Sequence, residues 1–386
     1  MPSNIAHMLI AHKAVDKLKA KGVPEYAGFG SVLEDETEPE NCRAYFNLGS
    51  LGPDLFCYSS LAKAAKDLLT DGSVQARGPE PWSYQMHSLK PNQVPLNLVE
   101  VIFRDSMRKD GAPALEANDR RKIAFVAGYL THVAADQIIH PLVNNIAGPY
   151  YRDGQFRKTH RECEVFQDYF LYSEVYRLEE KSGSDYDFMS QDFRSWADCI
   201  RGATFRNTED WFQYFLQRGL ADTYGHFPTE SEIEDSVDNL LLTLRLCKTA
   251  GPYRHAAEEY EHHDTSDLFR RYVSDANYIV SYRSAVELAV VYLAAMFEVY
   301  SRLAAGEDLT KKHRQRFLSI VQGADLSCPL EGRLLENATD ALTSPTYEDE
   351  FHRKKGKELV ARIAPQILSA SSIEGASDDL KSVVLS

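Results

Sequence analysis

The residues best suited to chemistry lie in two short stretches near the middle of the chain. His132-Val-Ala-Ala-Asp136-Gln-Ile-Ile-His140 sets imidazole, carboxylate and imidazole at i, i+4 and i+8, and His160-Arg-Glu-Cys-Glu164 gives a second i, i+4 pair. On helices this spacing projects the side chains from two narrow stripes. Nearly every neighbour of the first stripe is apolar, so its helix is expected to be buried on several sides. Burying such a stripe is costly unless hydrogen bonds satisfy each group or a cation neutralises the set. A divalent metal does so, and zinc accepts this mixture of imidazole and carboxylate. A metal site is therefore the leading reading.

Other candidates carry weaker patterns. His160 and Glu164 alone would read as a solvated surface pair; their weight comes from lying one break after the first stripe, because helices joined by a short break can pack face to face. Asp54 follows Gly52-Pro53 at a helix start, where it is either an N-cap or a carboxylate held at a pocket rim. His87 sits in Trp82-Ser-Tyr-Gln-Met-His87, read as loop. His7 and His12 share the first helix, and periodicity alone does not choose between them. His262-His263-Asp264 lies in a hydrophilic run and reads as surface. His226, His255, His313 and His352 have no partners in pattern. There is no nucleophile elbow, P-loop or dinucleotide fingerprint.

The elements that must position these residues are mainly helical. Helices are expected over about 4–21, with Asn4 as N-cap and Gly22-Val-Pro24 as stop, and over about 55–69, 96–109, 119–146, 156–179 and 281–303. Segments 33–41 and 71–95 read as loops. The tail from about Ala370 reads as polar and poorly ordered. At 386 residues, 44% hydrophobic and 26% charged, the composition is that of a globular protein. Six scattered cysteines without a CxxC pair read as reduced and mostly buried. A net charge of −14 opposes encounters with nucleic acid and anionic membranes. No window of uncharged apolar residues is long enough to read as a membrane span, and the N-terminus lacks a leader pattern, so the expected location is the cytoplasm, with secretion as the alternative.

The order of these elements resembles the zinc-dependent phospholipase C family, whose superfamily includes the catalytic domain of glycosylphosphatidylinositol-specific phospholipase D. The resemblance rests on His7-Met-Leu-Ile-Ala-His-Lys-Ala14, the Gly-Pro-Asp54 turn, His87, Gly-Tyr-Leu-Thr-His132-x3-Asp136-x3-His140-Pro and His160-x3-Glu164, covering about residues 4–172. His140 follows Asp136 by four residues, as in the phospholipase D-like branch, whereas secreted lecithinase-type members place it six residues on.

The resemblance implies an all-α, multi-helix catalytic core over 1–180; beyond it, periodicity and composition read as a helical region of unknown role over 181–369 and a flexible tail over 370–386. It implies two to three zinc ions: one held by His87, His132 and Asp136, a second by His140, His160 and Glu164, and a third by His7 with Asp136 bridging. Asp54 would act as general base or orient the attacking water. Trp82, Tyr84, Tyr150 and Tyr151 are candidate pocket-wall aromatics. The expected activity is phosphodiester hydrolysis of a phospholipid or small phosphoester, with at most peripheral membrane contact. Competing readings are a zinc hydrolase acting on nucleotides or single-stranded nucleic acid, and a non-catalytic helical protein stabilised by metal.

Overall fold

The computed structural model describes residues 4–37, 41–58, 81–106, 115–148, 154–176, 211–246, 251–321 and 326. Among them there is no strand, and the fold is all-α as expected. In chain order the helices are α1 Asn4–Lys19, α2 Pro24–Leu33, α3 Cys42–Ser50, α4 Pro81–Ser88, α5 Gln93–Ser106, α6 Ala117–Ala147 and α7 Gly154–Phe170. They continue with α8 Trp211–Tyr224, α9 Glu230–Leu246, α10 Gly251–Tyr260, α11 Asp267–Phe269, α12 Tyr278–Ala304 and α13 Lys311–Ile320. A 3-10 turn, Gly52–Tyr58, follows α3.

Three elements differ from expectation. Pro24 does not stop the chain; it occupies the first turn of α2, where its missing N–H costs nothing. The α3 helix was not anticipated. His87 sits on α4 rather than in a loop, because 81–88 has too few apolar residues to show a helical period. The helix expected over 55–69 begins within the 3-10 turn Gly52–Tyr58, and its remainder, the tail from 370, Tyr150 and Tyr151 lie outside the described residues, as do Cys199, Cys247 and Cys328. Cys42, Cys57 and Cys163 are free thiols.

The core is organised around α6, a 31-residue helix buried on nearly every side. Helix α12 runs along one flank and α3 along another, with α1, α5 and α7 completing the surround. By length and apolar composition the run through α12 could cross a membrane, but most of it is buried inside the protein, which marks it as a core helix. It is tied to its neighbours by Tyr292 donating to Gln137 (2.6 Å) and by the Lys17–Glu287 ion pair with α1. Gly148, with φ of 90°, ends α6 in a conformation that L side chains rarely adopt.

Helices α3 and α6 cross without side chains between them. A Cβ on Gly128 would stand 2.1 Å from the Phe46 carbonyl oxygen, and one on Gly49 would stand 2.1 Å from that of Phe125. Both obstacles are backbone, so neither can swing aside. Gly128→Ala must push the helices apart and is expected to cost at least about 1–3 kcal/mol, read as a lowered urea midpoint; Gly128→Ser is expected to cost more.

His12, the alternative to His7, is buried beside this crossing. Its Nε2 lies 2.7 Å from Asn47 Oδ1 and its ring stands edge-on to Phe46. Burial, reinforced by the Arg43 guanidinium, lowers the imidazole to about 3. The unfolded chain protonates first as pH falls below about 6.5, so this contribution is complete above that value and drains away toward pH 3. Between pH 7 and 5 it amounts to about 2 kcal/mol. His12→Gln is expected to flatten that part of the stability–pH profile, measured by urea unfolding.

Candidate metal centre

All eight predicted site residues converge in one place. His7 comes from α1, Asp54 from the 3-10 turn, His87 from α4, His132, Asp136 and His140 from α6, and His160 and Glu164 from α7. Seven are buried; His140 alone of the eight is half-buried. His262 and His263 lie far from this pattern at a helix end, where His263 pairs with the exposed Asp264.

Asp136 is the hub. Its Oδ1 lies 3.3 Å from His7 Nε2 and 3.4 Å from His140 Nε2, and its Oδ2 lies 3.1 Å from His132 Nε2 and 3.4 Å from His87 Nε2. To one side, Glu164 Oε1 stands 3.0 Å from His160 Nε2 and 3.5 Å from His140 Nε2. To the other, Asp54 Oδ1 stands 3.1 Å from His87 Nε2. Three groups have ligand atoms close enough to share an ion: His7 with His132 and Asp136, Asp54 with His87 and His132, and His140 with His160 and Glu164. The last coincides with a set expected from sequence. Asp54 stands closer to the ligands than expected, grouped with His87 and His132 rather than apart from them.

The donor set fits zinc on two observations. Ligand atoms around tetrahedral zinc, at bonds of about 2.0–2.1 Å, stand about 3.3 Å from one another, and the nitrogens around Asp136 stand 3.1–3.4 Å from its oxygens. In addition, His132 Nε2 and Asp136 Oδ2 are buried without a hydrogen-bond partner among the described residues. Orphaned polar atoms at the centre of a core are costly unless a cation takes them up.

The other ring nitrogens are held from behind. His132 Nδ1–H donates to the Ser50 carbonyl (2.9 Å), His87 Nδ1–H to the Ser83 carbonyl (2.7 Å) and His140 Nδ1–H to the Leu326 carbonyl (2.7 Å). His160 Nδ1–H donates to Asn144 Oδ1 at 3.1 Å. With Nδ1 donating outward, each Nε2 is turned to the centre, where its lone pair is available to a metal once that nitrogen is unprotonated. His7 Nδ1 has no such partner among the described residues. These supports were missed in the sequence because three are backbone carbonyls, which no side-chain pattern marks. Asn144 had a signal: it extends the 132, 136, 140 stripe by one more step of four.

Charge is balanced inside the cluster. Burial opposes the ionised forms, yet His140 and His132 hold the Asp136 carboxyl well below the usual range. Burial lowers His140, but Asp136 and Glu164 outweigh it and push the imidazole up to about 9. His87 is raised by Asp136 and Asp54 against the same burial. His7 is lowered to about 4 by burial and by His132, which stacks on it at 4.0 Å. Burial, with Asp54 nearby, pushes the Cys57 thiol up to about 11, so it offers no thiolate. Trp82 packs against Phe56 and His226 beside α4.

The start of α1 is anchored to α7. Asp168 accepts the amides of Ile5 (3.2 Å) and Ala6 (2.9 Å), and Tyr253 donates to it at 2.6 Å. This carboxylate therefore takes the helix-end amides that Asn4 was expected to cap; Asn4 Oδ1 instead accepts from Tyr58. Asp168 thus links the helix of His7 to the helix of His160 and Glu164. Asp168→Ala is expected to cost about 1–3 kcal/mol for each buried donor left unpaired, and to speed amide exchange at Ile5 and Ala6 while that of α6 stays slow.

The family model described as zinc dependent phospholipase C matches residues 6–224, reaching past the 4–172 over which the motifs were read. No curated protein and no solved structure matches the chain.

Proposed function

The chain belongs to the zinc-dependent phospholipase C family, and from that premise we propose that it hydrolyses a phosphodiester of a phospholipid or related small phosphoester at the Asp136 cluster. The observation that supports this most is the convergence of imidazole and carboxylate atoms from five structural elements into three groups close enough to share an ion. His140, His160 and Glu164 would hold one ion. His87 and His132 with Asp136 would hold a second. His7 with Asp136 would hold a third. Zinc so placed acidifies water and draws charge from the non-bridging phosphoryl oxygens.

The chain's own groups have separable tasks. Asp54 Oδ1 faces His87, while Oδ2 stands 3.8 Å from His132 Nε2 and 3.9 Å from His7 Nε2, beyond hydrogen-bond reach. That oxygen would orient a water and accept its proton. Burial of the other ligands leaves the His140 side as the approach for a phosphoryl group. The net charge of −14 disfavours a polyanionic polymer over a lipid head group.

Elemental analysis of the native protein is expected to give two to three zinc equivalents. Glu164→Ala is expected to lose one, and Asp136→Ala more than one because that carboxylate serves several imidazoles. Asp54→Asn is expected to keep its zinc while diacylglycerol release from phospholipid micelles falls about 10²–10⁴-fold. Loss of a zinc equivalent in that variant would make Asp54 a ligand instead. Release of nucleotides from single-stranded DNA at a higher rate than lipid turnover would displace the substrate class.

A further inference from the structure

Leu326 lies about a hundred residues beyond the end of the family match, yet both of its peptide groups reach the centre. Its N–H donates to the carbonyl of His87 at 2.9 Å, and its carbonyl accepts from His140 Nδ1–H at 2.7 Å. The residue is buried. Val321, which follows α13, offers its carbonyl to Asn92 Nδ2 at 3.0 Å, just ahead of α5. The His87 and His140 rings stand 6.2 Å apart and nearly parallel, so one residue bridges the helix of each.

The other Nδ1 supports, Ser50, Ser83 and Asn144, all fall within residues 6–224. His140 differs in two respects: it is the half-buried member of the eight, and its Nδ1 acceptor comes from outside the matched region. An imidazole with an open side has less packing to hold its ring, so its orientation depends more on that one hydrogen bond. We propose that Leu326 is a positioning residue that clamps α4 to His140 through its backbone, and that the chain beyond residue 224 thereby completes the site of His140, His160 and Glu164. Holding the proton on Nδ1 keeps the Nε2 lone pair aimed at Glu164 and Asp136. Without the clamp the ring can turn or carry its proton on Nε2, and it ceases to be a ligand. The inference rests on the reading that this centre binds zinc.

The test uses the zinc-loaded full chain and a chromophoric chelator that reports each equivalent as it leaves. Leu326→Pro deletes the N–H that holds the clamp to His87, whereas Leu326→Ala trims the side chain and keeps both peptide groups. The expected result is that one zinc equivalent leaves Leu326→Pro about 10–100-fold faster, the remaining zinc leaves at the wild-type rate, and Leu326→Ala releases all of it slowly. Equal release from both variants, or acceleration of every equivalent together, overturns the clamp. If Leu326→Pro does not fold, the wild-type zinc protein decides: its His140 Nδ1 proton, assigned by NMR through its loss in His140→Gln, must exchange slowly with solvent. Exchange as fast as that of free imidazole overturns the proposal. A wild-type chain that takes up no zinc removes the metal reading itself, whereas one that keeps zinc indifferently to Leu326 removes the clamp alone.

Discussion

Everything in this fold answers to the cost of placing the Asp136 carboxylate among four imidazoles inside the core. With protons fixed on Nδ1 by acceptors behind the rings, His87, His132 and His140 turn lone pairs toward an oxygen that also carries lone pairs. At 3.1–3.4 Å such pairs repel unless something positive lies between them. Protons can fill that role in part, and the upward shifts of His87 and His140 show where they would go. A divalent cation fills it better, because it satisfies several lone pairs at once and needs no ring to exchange its tautomer. The arrangement therefore suits a metal centre, and without a cation it leans on the protons that His87 and His140 take up.

Convergence of this kind requires rigid supports, and the crossing of α3 with α6 supplies the main one. Removing both Cβ atoms at Gly49 and Gly128 lets the two backbones touch. That contact brings the end of α3 onto the next turn of α6, where the Ser50 carbonyl meets His132 Nδ1. The chain then turns at once into Gly52–Tyr58, which delivers Asp54 to the same point. One close approach thus sets a ligand and a carboxylate that are far apart in sequence. On the other side, Asp168 fixes α1 against α7 and so sets His7 relative to His160 and Glu164. The apolar packing of α12 against α6 and α1 holds these supports together but contributes no ligand.

What was legible in the sequence follows from this division. The ligands of α6 and α7 stood out because their type and period coincide: polar groups recurring every four residues in an apolar helix have few physical explanations. The long core helices α6 and α12 were readable for the same reason. His7 could not be separated from His12 by periodicity, since both fall on buried faces of α1; only the tertiary partners distinguish them, Asp136 for one and Asn47 for the other. The short helices α2, α3 and α4 escaped because eight to ten residues show too little period, and α3 owes its place to an interhelical contact between glycines that reads, locally, as a turn signal. Backbone acceptors such as Ser50, Ser83 and Leu326 leave no trace in residue types at all.

Charge also bears on how many ions the centre can hold on this reading. Asp54, Asp136 and Glu164 carry three negative charges when ionised, and the imidazoles are neutral ligands when they bind metal. Two zinc ions leave the protein cluster with one excess positive charge, whereas three leave it with three, all within a largely buried site. Excess charge of that size needs an anionic counterpart from outside the chain, and a phosphoryl group supplies one. The third position is also the one whose histidine lacks a hydrogen bond behind it, because His7 Nδ1 is unpartnered among the described residues while the other four imidazoles are held. Weak support and surplus charge would fall on the same ion, so on this proposal its occupancy would depend on the substrate more than that of the other two.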